Sequence, residues 1–164
     1  GGGEADSQYY SELKKMAEGD ERILFTGYVK GRVIGELYSN AYVFLLPSNL
    51  EGMANALLEA MSYGNCCLVS DIPENVEVTG DSALTFKKGD IEDLKQKIQY
   101  LEDEQKEVAQ YRGGAQQHVL DRYNWDLIVE QMLEIYQGNL IHYEEVLERH
   151  RRREGQWSKN ERLE

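Results

Sequence analysis

Cysteine, proline and basic residues are scarce in this 164-residue chain, and it has no apolar run long enough to cross a bilayer. Each shortage removes a class of function. The two cysteines, Cys66 and Cys67, are adjacent, and consecutive strand side chains point to opposite faces of a sheet. A bridge between them is geometrically poor, so they read as reduced core residues. No His or Cys stands near them at ligand spacing, and a metal centre is not expected. The 18 Lys and Arg face 30 Asp and Glu, a formal net charge of −12, and that field repels polyanions; nucleic acid is not an expected partner. Arg149 to Arg153, the basic cluster of the tail, reads as a solvated helix face. No basic-then-apolar leader is visible, so the expected location is cytoplasmic. Gly1 to Gly3 and the final Leu163-Glu164 are given no function.

What is present suffices for one sizeable core, since 41% of the residues are hydrophobic. Short apolar runs alternate with longer amphipathic ones, the pattern of a parallel sheet covered by helices. The periodicity predicts a helix over Ser7 to Ala17, a strand at Ile23 to Phe25 closed by Gly27, and a helix near Val33 to Asn40. A buried strand at Tyr42 to Leu46 follows, ended by Pro47. A helix over Met53 to Tyr63 stops at Gly64, where a left-handed residue is expected. Cys67 to Ser70 and Ala83 to Phe86 supply two more strands. After Gly89 the chain is helical in period: Asp90 or Ile91 to Leu101, Glu104 to Arg122, and Trp125 to about Arg153, with Asp90 and Asn124 as caps.

The informative stretch is LPSNLEGMANALLEAMSYGNCCLV, from Leu46 to Val69. Glu51 lies in the loop leaving the carboxyl end of the Tyr42 to Leu46 strand, the edge where ligands gather in open parallel sheets. Gly52 lets a ligand approach the backbone, beside the N–H groups of Met53, Ala54, Asn55 and Ala56 at a helix tip. Such a tip suits a pyrophosphate. In the following helix Met53, Ala56, Leu57, Ala60 and Met61 form an apolar face, and Asn55, Glu59 and Ser62 a polar stripe. The carboxylate of Glu59 has two oxygens able to accept from vicinal hydroxyls, as on a ribose. Spacing alone leaves open that Glu51 merely complements the helix dipole and that Glu59 sits on a solvated face.

The string PSNLEGMANALLEAMSYGNCCLVSDIPENVE resembles the C-terminal, donor-binding half of retaining glycosyltransferases of group 1 (family 4), which have the GT-B fold. The hallmark is a Glu, seven residues, then a second Glu, within P-S-x-x-E-G leading to L-E-A-M: here Pro47, Ser48, Glu51, Gly52, Leu58, Glu59, Ala60 and Met61. Phe25 to Val29, Glu36-Leu37-Tyr38 with Ala41, Ser70 to Pro73, Asn75 to Glu77 and Tyr123-Asn124-Trp125 are similar to the family in the same order. The resemblance spans roughly Gly2 to Gln137. It implies an α/β, Rossmann-like half of a GT-B fold over 1–137, incomplete at its N-terminus, and a helical tail over 138–164.

By the same resemblance, Glu51 contacts the donor sugar and is the catalytic candidate. Glu59 holds the ribose hydroxyls, and the backbone of Gly52, Met53, Ala54, Asn55 and Ala56 holds sugar and diphosphate. Tyr28 and Val29 edge the nucleobase. The implied substrate is a nucleotide-sugar, with no cofactor and no metal. The family's first strand, its basic diphosphate clamp and the acceptor domain are expected upstream, so the isolated chain is expected to be inactive. It is also expected to expose a sheet edge open to self-association, and to reach a membrane only through the missing domain. A non-catalytic nucleotide or phosphosugar module, a helical interaction module, and a sugar-nucleotide epimerase remain alternatives. His118, His142 and His150 read as surface or packing residues and the tyrosines as packing, apart from Tyr28. Asp71 and Glu74 are expected to cap the next helix, and Trp125 to staple the start of a late one.

Overall fold

The computed structural model describes residues 8–160, without the side chains of 146, 147 and 149–160. The glycine-rich start, the Leu163-Glu164 end and the side chains of Arg149 to Arg153 and of His150 therefore lie outside the described residues. The elements run α1 (Gln8–Met16), α2 (Arg32–Asn40), β1 (Phe44–Leu46), α3 (Asn55–Ser62), β2 (Cys67–Ser70), α4 (Pro73–Thr79), β3 (Leu84–Phe86), α5 (Ile91–Asp103), α6 (Gln105–Arg122) and α7 (Trp125–Asn160). They fall into two compact units that meet at Gln116 and Gln117. The boundary expected after residue 137 falls within α7.

In the first unit the three strands are parallel in the order β1-β2-β3, with Leu45 opposite Leu68 and Val69 opposite Thr85. The expected α/β class is what the chain adopts. Every residue of β2 is buried, as in a parallel strand covered on both faces. Cys66, Leu68 and Phe86 pack with Leu101 of α5 and Val108 of α6 in one core cluster. Leu57, Ala60 and Met61, the inner face of α3, are also fully buried, and α3 packs on β2. Both cysteines are free and inaccessible. Long side chains tie the edges together: Tyr42 Oη donates to the Leu101 carbonyl over 2.7 Å, and Arg112 Nη2 to the Ala41 carbonyl over 2.5 Å.

The helix limits follow the local chemistry. Gly64 takes φ +70° after α3, the left-handed conformation that ends the helix. Asp90 accepts the Asp93 N–H over 3.0 Å and caps α5. In the second unit Asn124 Oδ1 accepts the Asp126 N–H over 2.8 Å at the start of α7.

Five expectations are corrected. The strand expected to be buried over Tyr42 to Leu46 is Phe44–Leu46, an edge strand of the sheet with Leu45 exposed. Ile23 to Phe25 forms no strand: it pairs with no strand among the described residues, with Ile23 50%, Leu24 81% and Phe25 40% exposed. Propensity alone does not make a strand without a neighbour to complete its hydrogen bonds. α3 begins at Asn55 rather than Met53, which leaves Met53 and Ala56 exposed instead of on the apolar face. Asp71 does not cap α4; its Oδ1 accepts the Lys88 N–H over 2.7 Å, and α4 opens on Pro73 with no side-chain cap. Trp125 is 76% exposed, and so no buried staple. Among the described residues no helix is long and apolar enough to cross a membrane.

Candidate functional site at the carboxyl edge of the sheet

Because all three strands are parallel, Leu46, Ser70 and Phe86 end at one edge, and the loops leaving them carry the polar residues. Ser70 is the hub. Its hydroxyl donates to the Ser48 carbonyl over 2.5 Å and accepts from Asn75 Nδ2 over 3.1 Å. Asn75 Nδ2 also reaches the Ser70 carbonyl over 3.2 Å, and both side chains are buried. These three bonds fix the backbone at Ser48 against β2 and α4, although Asn75 Oδ1 is buried without a partner among the described residues.

From that fixed backbone Ser48 Oγ donates to Glu51 Oε1 over 2.5 Å. Glu51, half-buried in the loop after β1, is thus oriented by the residue three positions before it. Gly52 follows and is exposed, and a Cβ built on it meets nothing within 4 Å. At the tip of α3 the N–H groups of Met53, Ala54 and Ala56 meet no acceptor among the described residues, whereas that of Asn55 donates to the Met53 carbonyl over 2.9 Å. Asn55 therefore drops out of the free donors. The first turn closes on Ala54, whose carbonyl accepts from Leu57 and Leu58 over 2.9 and 3.1 Å.

Glu59 stands on the exposed face of α3, five residues into the helix, and its Oε2 accepts from the Tyr38 hydroxyl over 3.3 Å. The same hydroxyl reaches the Ala56 carbonyl over 3.4 Å. Burial pushes the Tyr38 phenol up to about 12, and the neighbouring Glu59 charge adds to the shift. Tyr28 is 78% exposed and Val29 half-buried, both in the loop before α2. Among the described residues no group of three or more His, Cys, Asp or Glu is arranged to hold a metal ion.

Two residues at this corner carry parts that the sequence reading did not assign. Ser48 and Glu51 lie three positions apart in one loop, so their side chains can meet without any tertiary packing. Tyr38 carries no such signal, because its partner is 21 positions away and the two meet only when α2 packs beside α3.

A parallel sheet flanked by helices, with its polar corner at the carboxyl edge, is a Rossmann-like α/β arrangement. The chain belongs to the family of glycosyl transferases group 1, whose model matches residues 1–118. It is 30% identical to the sulfoquinovosyl transferase of Arabidopsis thaliana over 127 residues, 73% of this chain and 24% of that protein. With the O-antigen chain mannosyltransferase B of Escherichia coli it shares 33% identity over 116 residues, 70% of this chain and 30% of the other. The chain thus spans about a quarter to a third of these relatives. Among solved structures, sucrose-phosphate synthase from Thermosynechococcus elongatus superposes with a TM-score of 0.71 at 21% identity, covering 80% of this chain and 33% of that one. Anabaena Alr3699/HepE, in complex with UDP and glucose, gives 0.72 at 19% identity over 79% and 36%. These two establish the fold.

Proposed function

We propose that the chain is the donor-binding half of a retaining glycosyltransferase that takes a sugar from a nucleotide-sugar. The observation that carries this reading is the tip of α3: exposed Met53 and Ala56, whose N–H groups meet no acceptor among the described residues, beside open Gly52 and flanked by a Glu51 carboxylate already oriented by Ser48. A diphosphate laid there meets fixed dipoles and no competing side chain. Glu59 accepts the ribose hydroxyls, Glu51 contacts the donor sugar, and the backbone at Tyr28 and Val29 borders the base. The reading is supported by relatives named for sugar transfer and by a fold neighbour holding UDP and glucose.

In the reaction the bond from the anomeric carbon to the diphosphate oxygen breaks, and its electron pair leaves with the diphosphate. The acceptor oxygen bonds to that carbon on the same face and passes its proton to the departing diphosphate oxygen. Charge grows on the leaving diphosphate, where preorganised N–H donors act most strongly. No metal or cofactor enters this scheme. The acceptor is held by parts of the protein beyond this chain, and the isolated 164 residues carry out no transfer. The protein works in the cytoplasm and meets a membrane only through those other parts. The outer side of β1, an edge strand of the sheet with Leu45 exposed, pairs with a second copy when the chain is alone.

Calorimetric titration with the diphosphates of uridine, guanosine and adenosine tests the reading. One of them binds, and Glu59→Ala abolishes that binding without unfolding the chain. Absence of binding by the unaltered protein to all three overturns the proposal in favour of a non-catalytic interaction module.

A further inference from the structure

Glu59 projects from the exposed face of α3, where a flexible carboxylate would ordinarily sample several rotamers. Here one of its oxygens is engaged from the neighbouring helix. The Tyr38 ring is only 8% exposed, and it lies between Phe44 at 5.8 Å and Tyr63 at 5.5 Å, centroid to centroid. Gly35, one turn earlier on α2, permits this closeness: a Cβ there would stand 3.1 Å from the Tyr63 hydroxyl. The Tyr38 hydroxyl is therefore delivered from a clamped ring, and it touches both Glu59 Oε2 and the Ala56 carbonyl in the turn that opens α3.

We infer that Tyr38 is a positioning residue that sets the preference of the site for ribose over 2′-deoxyribose, by holding the Glu59 carboxylate ready for a vicinal diol. This rests on the reading of Glu59 as the ribose acceptor. With Oε2 engaged by Tyr38, Oε1 and the remaining lone pairs are left facing outward for the two hydroxyls. A carboxylate oriented before the ligand arrives loses less freedom on binding. That gain is largest for a ligand carrying both hydroxyls, since a 2′-deoxyribose offers the carboxylate only one.

The test uses whichever of UDP, GDP and ADP binds, together with its 2′-deoxy counterpart, titrated calorimetrically into the unaltered protein, Tyr38→Phe, Glu59→Gln and the double variant. Phenylalanine keeps both ring contacts and removes only the hydroxyl. Tyr38→Phe is expected to weaken the ribonucleotide about three- to tenfold, the scale of one hydrogen bond, and the deoxynucleotide, which keeps only its 3′-hydroxyl, distinctly less. The double variant should bind as Glu59→Gln does, because Tyr38 acts through that carboxylate. An equal loss on both ligands would show a purely structural tyrosine and overturn the inference. So would a collapsed ribose preference in Glu59→Gln with an intact one in Tyr38→Phe, which leaves the ribose reading standing. An unchanged preference in Glu59→Gln overturns that reading itself, and the inference with it.

Discussion

Ser48 and Glu51 are bound to each other within a single loop: the serine hydroxyl donates to the carboxylate over 2.5 Å, and the serine backbone is itself anchored by Ser70. Glu51 is thus oriented by the protein before any ligand is present. Ser48→Ala removes the donor without touching the tip of α3. In the transfer reaction it is expected to lower kcat about tenfold while the KM for donor changes less than about twofold, the pattern of an interaction that matters most in the transition state. Steady-state kinetics on the active protein checks this, and a change confined to KM would contradict it.

The glycines on either side of α3 separate stability from binding. Gly64 sits at φ +70°, so Gly64→Ala strains the backbone and costs about 1 kcal/mol. Gly52 has ordinary φ and open space around it, so Gly52→Val changes stability by less than about 0.5 kcal/mol. It should nevertheless weaken nucleoside diphosphate binding about tenfold by covering the bare N–H groups. Urea melts and calorimetry on both variants distinguish the two effects.

Asp90 caps α5 through the Asp93 N–H. Asp90→Ala should destabilise the chain by about 1 kcal/mol, and Asp90→Asn by less, because asparagine also caps. Its ion pair with Lys87, 3.9 Å apart and solvent-exposed, adds little. Ligand binding is expected to be unaffected.

Burial pushes the thiols of Cys66 and Cys67 up from 9.0 to about 11 and about 12. Burial raises the Tyr38 phenol as well, from 10.0 to about 12. A group with a raised folded-state pKa contributes stability that is fully present below its unfolded pKa and is lost as pH rises through the folded one. The fold should therefore weaken above pH 9, progressively towards 12. Below that window both thiols should resist alkylation until the chain unfolds. Denaturant melts at a series of alkaline pH values check the first statement. Alkylation with and without urea checks the second.

Much of this was legible from local chemistry. Asp90, Asn124 and Gly64 announce helix limits because caps and left-handed stops depend on a few neighbouring residues. β2 is legible because a continuous apolar run between helical segments has only the sheet interior to occupy. Ile23 to Phe25 misleads for the converse reason: its apolar side chains suit a strand, but strand formation depends on a partner that propensity does not reveal. At the site, the places of Glu51 and Glu59 on loop and helix follow from spacing. The engaged N–H of Asn55 and the hydroxyl of Tyr38 do not, since one depends on how the first turn closes and the other on how two helices pack.

Ser70 belongs to the most deeply buried strand, yet it holds the loop that bears Glu51. The Ser48 end of that loop is consequently tied to the sheet interior, so releasing it means breaking a bond to β2. A ligand arriving at this corner meets a finished surface and bears little ordering cost there.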